Sequence, residues 1–300
     1  MNKNLAPIVL FCYNRPKHLQ KTIDHLKKNH LAKQSDLFIF SDEAKDLKEK
    51  KNVKEVRVLL EKISGFKKVK LIFRKKNFGL QKNIIDGVNR IIKYRKKVIV
   101  LEDDLLTSKY FLKFMNESLN LYLLNKDVAS IHGYIYPIVK KKRLEDYYFI
   151  RGADCWGWAT WSRAWKYYEH DTKKLVSEIK KNDLIKDFNF NNTKNYYKML
   201  KNNLKTQKKS WAIQWYASTF LNNMYTLYPK NSFIKNIGLD GSGENTRIKY
   251  FLNSKFSKIY RSPKRIEVKE NTQAKNKIDN FFKKNEKNLF QKLLSKFFYE

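Results

Sequence analysis

The chain has 300 residues, of which 42% are hydrophobic and 15% aromatic, so it can fill a large core and is not disordered throughout. Its formal net charge of +35 suits a polyanionic partner such as nucleic acid, anionic lipid or a charged glycan, although a lysine-rich composition can also reflect an AT-rich genome. No apolar run approaches the length of a membrane span, and the N-terminus lacks the apolar segment of a signal peptide. We therefore expect a cytoplasmic protein, either soluble or bound peripherally to the inner face of the membrane.

Apolar, β-rich segments alternate with amphipathic helical segments along the first 133 residues. Strands are predicted at 7–13, 36–40, 69–73, 98–101 and 127–132, and helices are predicted from residue 16 onward and at 46–63, 80–94 and 108–124. This alternation is typical of βαβ units. It predicts an α/β, Rossmann-like fold with a mainly parallel sheet and helices on both faces.

The chain changes character after residue 133. Aromatic residues crowd into 147–168 and 210–220 with helical segments between them, and the sequence is strongly basic from about residue 245. We interpret residues 1–133 and 134–245 as two halves of one domain, the second packed on the ligand edge of the sheet. Residues 246–300 form a basic C-terminal extension.

Three consecutive carboxylates, Glu102, Asp103 and Asp104, directly follow the buried strand at 98–101. In parallel sheets ligands bind beyond the carboxyl ends of the strands, where this cluster is expected to lie. Adjacent like charges are costly unless a cation compensates them, and Mg²⁺ and Mn²⁺ prefer oxygen ligands. A metal–diphosphate site is one interpretation, and a solvated turn in which Asp104 caps the next helix is the other.

Five motifs in order give the sequence a family resemblance: PIVLFCYNRP, FSDEAK, KNFGLQKNIIDGV, VIVLEDDL and RGADCWGWATW. Together they resemble glycosyltransferases of the GT-A fold, in particular bacterial family 2-like sugar transferases. The EDD form also resembles the metal motif of the animal N-acetylglucosaminyltransferase of N-glycan branching. The resemblance covers roughly residues 5–245.

The resemblance implies a nucleoside-diphosphate sugar as donor, with UDP as the expected nucleotide, and Mn²⁺ or Mg²⁺ as cofactor. Residues 1–133 would bind the donor and 134–245 the acceptor. Asp104, supported by Glu102, would hold the metal, and Asp103 would face the ribose or metal. The residues expected to border the nucleotide are Asn14, Arg15, Asp42, Asn77, Gly79 and Asn83.

An inverting transferase needs a general base, and the candidate is Asp154, which lies among tryptophans in RGADCWGW. Its alternative role is structural, as a partner of Arg151 or the cap of a turn. The segment Trp211–Trp215 matches the place where the animal enzyme carries an acidic pair, but it has no carboxylate here. Asp240 and Glu244, in a glycine-rich segment expected to be a flexible loop, are the other candidates.

Residues 281–298 place paired apolar residues near one helical face, with lysines opposite. This pattern predicts either a helix at an anionic membrane surface or a helix that packs on the protein itself. A glycolipid or glycan acceptor would suit the first interpretation and a role in surface polysaccharide or lipopolysaccharide synthesis.

Two other functions remain open from the sequence. A nucleic-acid-binding protein would explain the charge, but no recognised binding motif is present and the acidic cluster opposes it. A sugar nucleotidyltransferase shares the metal chemistry, but the segment after the first strand, CYNRPKHLQ, lacks the glycine-rich phosphate loop expected of one.

Overall fold

The computed structural model describes residues 5–139, 141–206, 209–241, 252–257 and 259–298, with the side chains of the last helix described as far as residue 285. The strands are β1 (Ile8–Cys12), β2 (Asp36–Ser41), β3 (Lys68–Phe73), β4 (Lys97–Glu102), β5 (Leu105–Thr107), β6 (Val128–His132), β7 (Tyr147–Ile150), β8 (Trp158–Trp161), β9 (Tyr225–Pro229) and β10 (Ile234–Asn236). The helices are α1 (Pro16–Lys27), α2 (Lys50–Glu61), α3 (Gly79–Arg95), α4 (Phe111–Leu121), α5 (Ser162–Trp165), α6 (Thr172–Lys181), α7 (Ile185–Phe188), α8 (Tyr196–Asn202), α9 (Trp211–Leu221) and α10 (Thr272–Phe298). Short 3₁₀ turns cover Ala32–Gln34, Lys141–Arg143 and Gly238–Asp240.

Eight strands form one sheet in the order β3-β2-β1-β4-β8-β6-β9-β7, and β5 pairs separately with β10. The pairs β3/β2, β2/β1, β1/β4 and β6/β9 are parallel, whereas β8 runs antiparallel to both of its neighbours and β7 runs antiparallel to β9. This architecture confirms the predicted α/β fold with a mainly parallel sheet.

Every residue of β1 is buried, so the sheet is covered on both faces at its centre. On one face α3 approaches closely, because Gly87 has no side chain. A Cβ atom at this position would lie 2.5 Å from the ring of Phe11 and 3.3 Å from that of Phe40. The absence of a side chain at residue 87 therefore sets how close α3 lies to the strands that carry the candidate site.

The aromatic segment at 147–168 contributes two strands that the sequence did not predict. β8 lies between β4 and β6, with Val100 opposite Trp158 on one side and His132 opposite it on the other. The second half of the chain therefore supplies part of the sheet itself. Its aromatic side chains show no clear alternating pattern from which these strands could be predicted.

Part of the C-terminal extension packs against the body. Glu270 forms a bridge with Phe149 of β7, and Ala274, Ile278 and Phe282 of α10 are buried. The side chains of 286–298, which carry most of the predicted membrane-facing pattern, lie outside the described residues. Among the helices in the described part of the chain, none combines the length and apolar character needed to cross a bilayer.

Candidate functional site

The carboxyl ends of β1 to β4 meet at one edge of the sheet. Phe11 pairs with Glu102, Cys12 with Ser41, and Ser41 with Phe73. The chain moves outward from β1 to β3 and then returns to place β4 on the other side of β1. The ends of β1 and β4 therefore lie at a reversal point of the strand order, which is where doubly wound sheets bind their ligands.

An ion pair joins the two strand ends at this reversal point. Arg15, just after β1, donates from Nη2 to Asp103 Oδ1 and, over 2.8 Å, to Asp104 Oδ2. The backbone N–H of Tyr13 donates to the other oxygen of Asp103, and the Thr22 hydroxyl donates to the Asp103 carbonyl. Both carboxylates are thus fixed by β1 and α1, and Arg15 is their direct counter-charge.

The 3₁₀ turn at Gly238–Asp240 covers this ion pair. β10 carries the chain past β5, and the N–H of Ile237 donates to the Asp104 carbonyl over 2.9 Å. A Cβ atom on Gly238 would lie 2.1 Å from Asp104 Oδ2 and 2.9 Å from Arg15 Nη1. Only glycine lets the backbone approach the carboxylate so closely. The sequence pointed to this glycine-rich segment but not to residue 238.

The three carboxylates influence one another strongly. Burial, together with the negative charges of Asp104 and Asp103, raises the pKa of Glu102 to about 8, against the opposing effect of Arg15. Burial also raises the pKa of Asp103, against the effect of Arg15. A single guanidinium therefore does not neutralise the cluster, which retains the capacity to attract another cation.

Asp42, after β2, supports the turn that precedes α3. Its two oxygens accept backbone N–H groups from Glu43 at 3.0 Å, Phe78 at 2.8 Å and Gly79 at 2.9 Å. Asn77 donates from its side chain to the carbonyl of Glu43 over 2.6 Å. Burial raises the pKa of Asp42, while these backbone hydrogen bonds act in the opposite direction. Asp42, Asn77 and Gly79 thus form one hydrogen-bonded wall at the edge of the sheet.

The remaining residues predicted to border the nucleotide lie at different depths. Asn14 donates from its side chain to Glu49 at the start of α2. Asn83 is buried and accepts a hydrogen bond from Arg74 Nε over 2.9 Å, while Arg74 also pairs with Asp86 at 2.6 Å. Asn83 therefore supports the wall from behind, through Arg74.

Asp154, the candidate base, lies in a cage of aromatic hydroxyl groups. Tyr228 donates to its Oδ2 over 2.7 Å, and Tyr136 donates to its Oδ1. Burial and the Asp154 charge raise the pKa of both phenols well above their ordinary value. Both phenols therefore stay protonated and donate to the carboxylate. No sequence pattern pointed to these two partners, which come from separate segments of the chain.

The segment that carries Asp154 leads into β8 at the end of β4 that carries the acidic cluster, because Val100 pairs with Trp158 in an antiparallel ladder. Burial raises the pKa of the Cys155 thiol, and the charges of Asp154 and Glu102 raise it as well.

The other candidate bases are placed differently. Asp240 lies 3.1 Å from His18 Nε2 and so ties the 3₁₀ turn to α1. Glu244 lies outside the described residues. Trp211 and Trp215 are buried in α9, and Gln214 between them accepts a hydrogen bond from Gln81 at the start of α3.

The carboxylates after β4 suit a hard cation that takes its remaining ligands from water or from a bound phosphate group. In the described part of the chain, no group of three or more His, Cys, Asp or Glu side chains is arranged to hold a metal ion alone. Mg²⁺ typically takes one or two protein carboxylates and completes its shell with water and phosphate oxygens. Asp104 and Glu102 could supply that share, and the Arg15 Nη1 atom, buried and without a hydrogen-bond partner among the described residues, faces the same space.

Neither the family models nor the curated proteins include a match to the chain. Among solved structures it is similar to residues 1–349 of S. aureus TarS, with a TM-score of 0.42 and 13% identity over 77% of this chain and 60% of that one. A mannosyltransferase from Pyrobaculum calidifontis, in complex with GDP-Man and Mn²⁺, matches with a TM-score of 0.39 and 10% identity over 74% and 73% of the two chains. A UDP-glucose pyrophosphorylase complexed with UDP-glucose matches with a TM-score of 0.38 and 13% identity over 75% and 90%. The chain spans about 60% of the length of that TarS structure.

All three structural similarities have TM-scores below 0.5, so they do not assign an activity to this chain.

Proposed function

We propose that the protein is a metal-dependent glycosyltransferase that moves a sugar from a nucleoside-diphosphate sugar to a glycan or glycolipid acceptor. The observation that carries this proposal is the placement of Glu102, Asp103, Asp104 and Arg15 at the reversal point between β1 and β4. The five ordered motifs that resemble GT-A glycosyltransferases support it independently.

The donor would bind at the reversal point between β1 and β4, with its diphosphate near the acidic cluster. A divalent cation held by Asp104 and Glu102 would stabilise the negative charge that grows on the leaving diphosphate. The wall formed by Asp42, Asn77 and Gly79 would border the base and ribose. A UDP-sugar is the donor we expect, with Mn²⁺ or Mg²⁺ as the ion.

Asp154 is our candidate base for an inverting transfer. Its segment leads into β8 at the end of β4 that carries the acidic cluster, and hydrogen bonds from Tyr136 and Tyr228 hold its carboxylate in one orientation. A carboxylate held in this way can accept the proton of the attacking hydroxyl group.

A role in surface polysaccharide or lipopolysaccharide synthesis, with peripheral attachment to an anionic membrane, is the finer part of the proposal. It is supported by the basic, apolar pattern of the C-terminal extension and by the resemblance to bacterial sugar transferases. The part of this helix that would reach the membrane lies beyond residue 285.

The test is a screen of UDP-, GDP- and dTDP-sugars with and without Mn²⁺, in which release of the nucleoside diphosphate is measured. We expect one donor to be hydrolysed or transferred only with the metal. Asp104→Asn should reduce that rate by about 100-fold or more, because a ligand to the ion is lost. Glu61→Gln, which removes an exposed carboxylate at the end of α2, is the matched control.

Two outcomes would contradict the proposal. Formation of a nucleoside triphosphate from the nucleotide sugar and added pyrophosphate, without sugar transfer, would indicate the nucleotidyltransferase alternative. Absence of any response to the nucleotide sugars, with or without metal, would remove the basis for an enzyme of this class.

A further inference from the structure

The Arg15 guanidinium fills the space in which two carboxylates converge. One nitrogen, Nη2, donates to both Asp103 and Asp104, and the side chain is only 18% exposed. We infer that Arg15 is an internal counter-cation that holds this pair while no divalent ion is bound, so that the ion and Arg15 compete for the same oxygens. The inference rests on the proposed function, from which it takes the divalent ion.

The geometry leaves a divalent ion little free access to the pair. Asp104 Oδ2, the oxygen that Arg15 contacts at 2.8 Å, is also the atom against which Gly238 lies, since a Cβ there would come within 2.1 Å. That oxygen is covered by backbone on one side and by the guanidinium on another. An ion that uses it must displace Arg15 or share it with Arg15.

The second terminal nitrogen of the guanidinium makes no hydrogen bond to the carboxylates. The Nη1 atom is buried and has no hydrogen-bond partner among the described residues. Arginine binds phosphate groups through two parallel N–H donors, and a buried donor without a partner is costly. Arg15 is therefore suited to transfer from the carboxylates to a diphosphate, and this would leave Asp104 available to the ion.

The consequence is that the ion should bind more tightly when a diphosphate is bound than when it is absent. While Arg15 is paired with both carboxylates, the ion alone should bind weakly, because it must compete with a positive charge at hydrogen-bonding distance. A diphosphate that attracts Arg15 removes this competition, so nucleotide and ion should strengthen each other's binding. This competition between Arg15 and the ion would keep the site from binding free metal when no nucleotide-sugar donor is present.

The experiment measures Mn²⁺ binding to the full chain without nucleotide, from the electron paramagnetic resonance signal of the free ion. Arg15→Gln should bind Mn²⁺ about tenfold more tightly than the unsubstituted protein, because two carboxylates lose their counter-charge. Arg15→Gln/Asp104→Asn should lose this gain. Lys17→Gln is the matched control, because it removes one positive charge from an exposed residue two positions away and should change the affinity by less than about twofold.

The same variants are then titrated with UDP in the presence of Mn²⁺. Arg15→Gln should bind UDP about tenfold more weakly, and Lys17→Gln should be nearly unchanged. Should Arg15→Gln fail to fold, Arg15→Lys serves in its place. Its single ammonium group cannot form the same pair of contacts, and it should bind Mn²⁺ about threefold more tightly than the unsubstituted protein.

Equal Mn²⁺ affinity in Arg15→Gln and the unsubstituted protein would overturn the inference, as would equal gains in Arg15→Gln and Lys17→Gln. Neither result would affect the proposed function, which depends on turnover of a nucleotide sugar by the unsubstituted protein. Conversely, a gain in Mn²⁺ affinity without any turnover would support the counter-cation and contradict the transferase.

Discussion

At the scale of single residues, the hydroxyl groups around Asp154 give the first prediction. Tyr228→Phe removes a hydrogen bond of 2.7 Å that orients the Asp154 carboxylate. The kcat for sugar transfer should therefore fall by about tenfold with KM nearly unchanged, because a base that is held less firmly accepts the proton of the attacking hydroxyl group less readily. The measurement is kcat and KM for sugar transfer at one fixed pH.

The matched control for this prediction is Tyr148→Phe. The Tyr148 hydroxyl is buried and has no hydrogen-bond partner among the described residues. Tyr148→Phe likewise removes one buried hydroxyl group but no hydrogen bond to Asp154, so kcat should stay nearly unchanged. An equal loss of kcat in both variants would show that Tyr228 does not position Asp154.

A second residue-scale prediction concerns His132, which is fully buried at the end of β6. Burial lowers its pKa to about 4, although the Asp154 charge acts in the opposite direction. The pKa in the unfolded chain is about 6.5, so between these values the unfolded state binds more protons. Stability should therefore fall as the pH drops from about 6.5 to 4, by about 3 kcal/mol from this residue alone.

Urea unfolding at about pH 7 and pH 4.5 checks this prediction. His132→Phe should lose less stability between the two pH values than the unsubstituted protein does, because it removes the proton uptake. His30→Gln, which changes an exposed histidine, should leave the difference unaltered. A pH dependence that is the same with and without His132 would contradict the assignment.

The site residues differ in how far sequence reasoning could reach them. Position after a strand was enough to bring Arg15, Asp42 and the carboxylates of 102–104 to one edge of the sheet, because parallel strands end together. The Arg15 ion pair and the approach of Gly238 depend on tertiary contacts between residues more than 80 positions apart in sequence. No local pattern encodes such contacts, and the roles assigned to these residues stay predictions.

At the scale of elements, the first turns of α10 belong to the folded body. Asp279 is buried and accepts hydrogen bonds from Asn191 at 2.7 Å and Thr193 at 3.2 Å. The Phe282 ring lies 4.8 Å from that of Tyr136, which donates to Asp154. The helix thus supports the loop before α8 and, through Tyr136, the candidate base.

This packing determines where the chain can be shortened. Removal of 286–300 keeps the buried side chains Ile278 and Phe282. Removal of 272–300 should lower stability by about 3 kcal/mol or more, because these two side chains are lost. Thermal unfolding of the longer deletion and of the full chain, followed by circular dichroism, checks this prediction.

The shorter deletion also tests membrane attachment. If residues beyond 285 bind an anionic surface, the protein without 286–300 should no longer sediment with anionic vesicles, and neither protein should sediment with neutral ones. Sedimentation equal to that of the full chain would contradict the membrane proposal. A cut near residue 270 could not decide this, because it also removes part of the fold.

Elements differed in how clearly the sequence marked them. β1, β2 and β4 are apolar runs bounded by polar residues, and the helices between them show regular apolar spacing. The three-residue strands β5 and β10 are too short to show a pattern. β7 and β8 were missed because their aromatic side chains are buried on both faces and do not alternate with polar ones.

At the scale of the whole molecule, the net charge of +35 gives a prediction for the nucleic-acid alternative. A charge of this size should cause weak binding to random DNA that falls steeply with salt and is largely lost by about 0.3 M. Asp104→Asn should not weaken this binding, because the variant removes a negative charge. Tight DNA binding that persists at high salt, together with absence of nucleotide-sugar binding, would favour the alternative.

The position of β8 has a consequence for how the protein is made. β4 pairs with β1 on one side and with β8 on the other, yet β8 lies more than 50 residues later in the chain. During synthesis, the apolar strand β4 emerges from the ribosome before β8 does. The backbone N–H and C=O groups on one edge of β4 therefore stay unpaired until residues 158–161 have been made. The nascent chain is therefore exposed to wrong strand pairing during this interval, and chaperones that bind extended apolar segments should recognise it there.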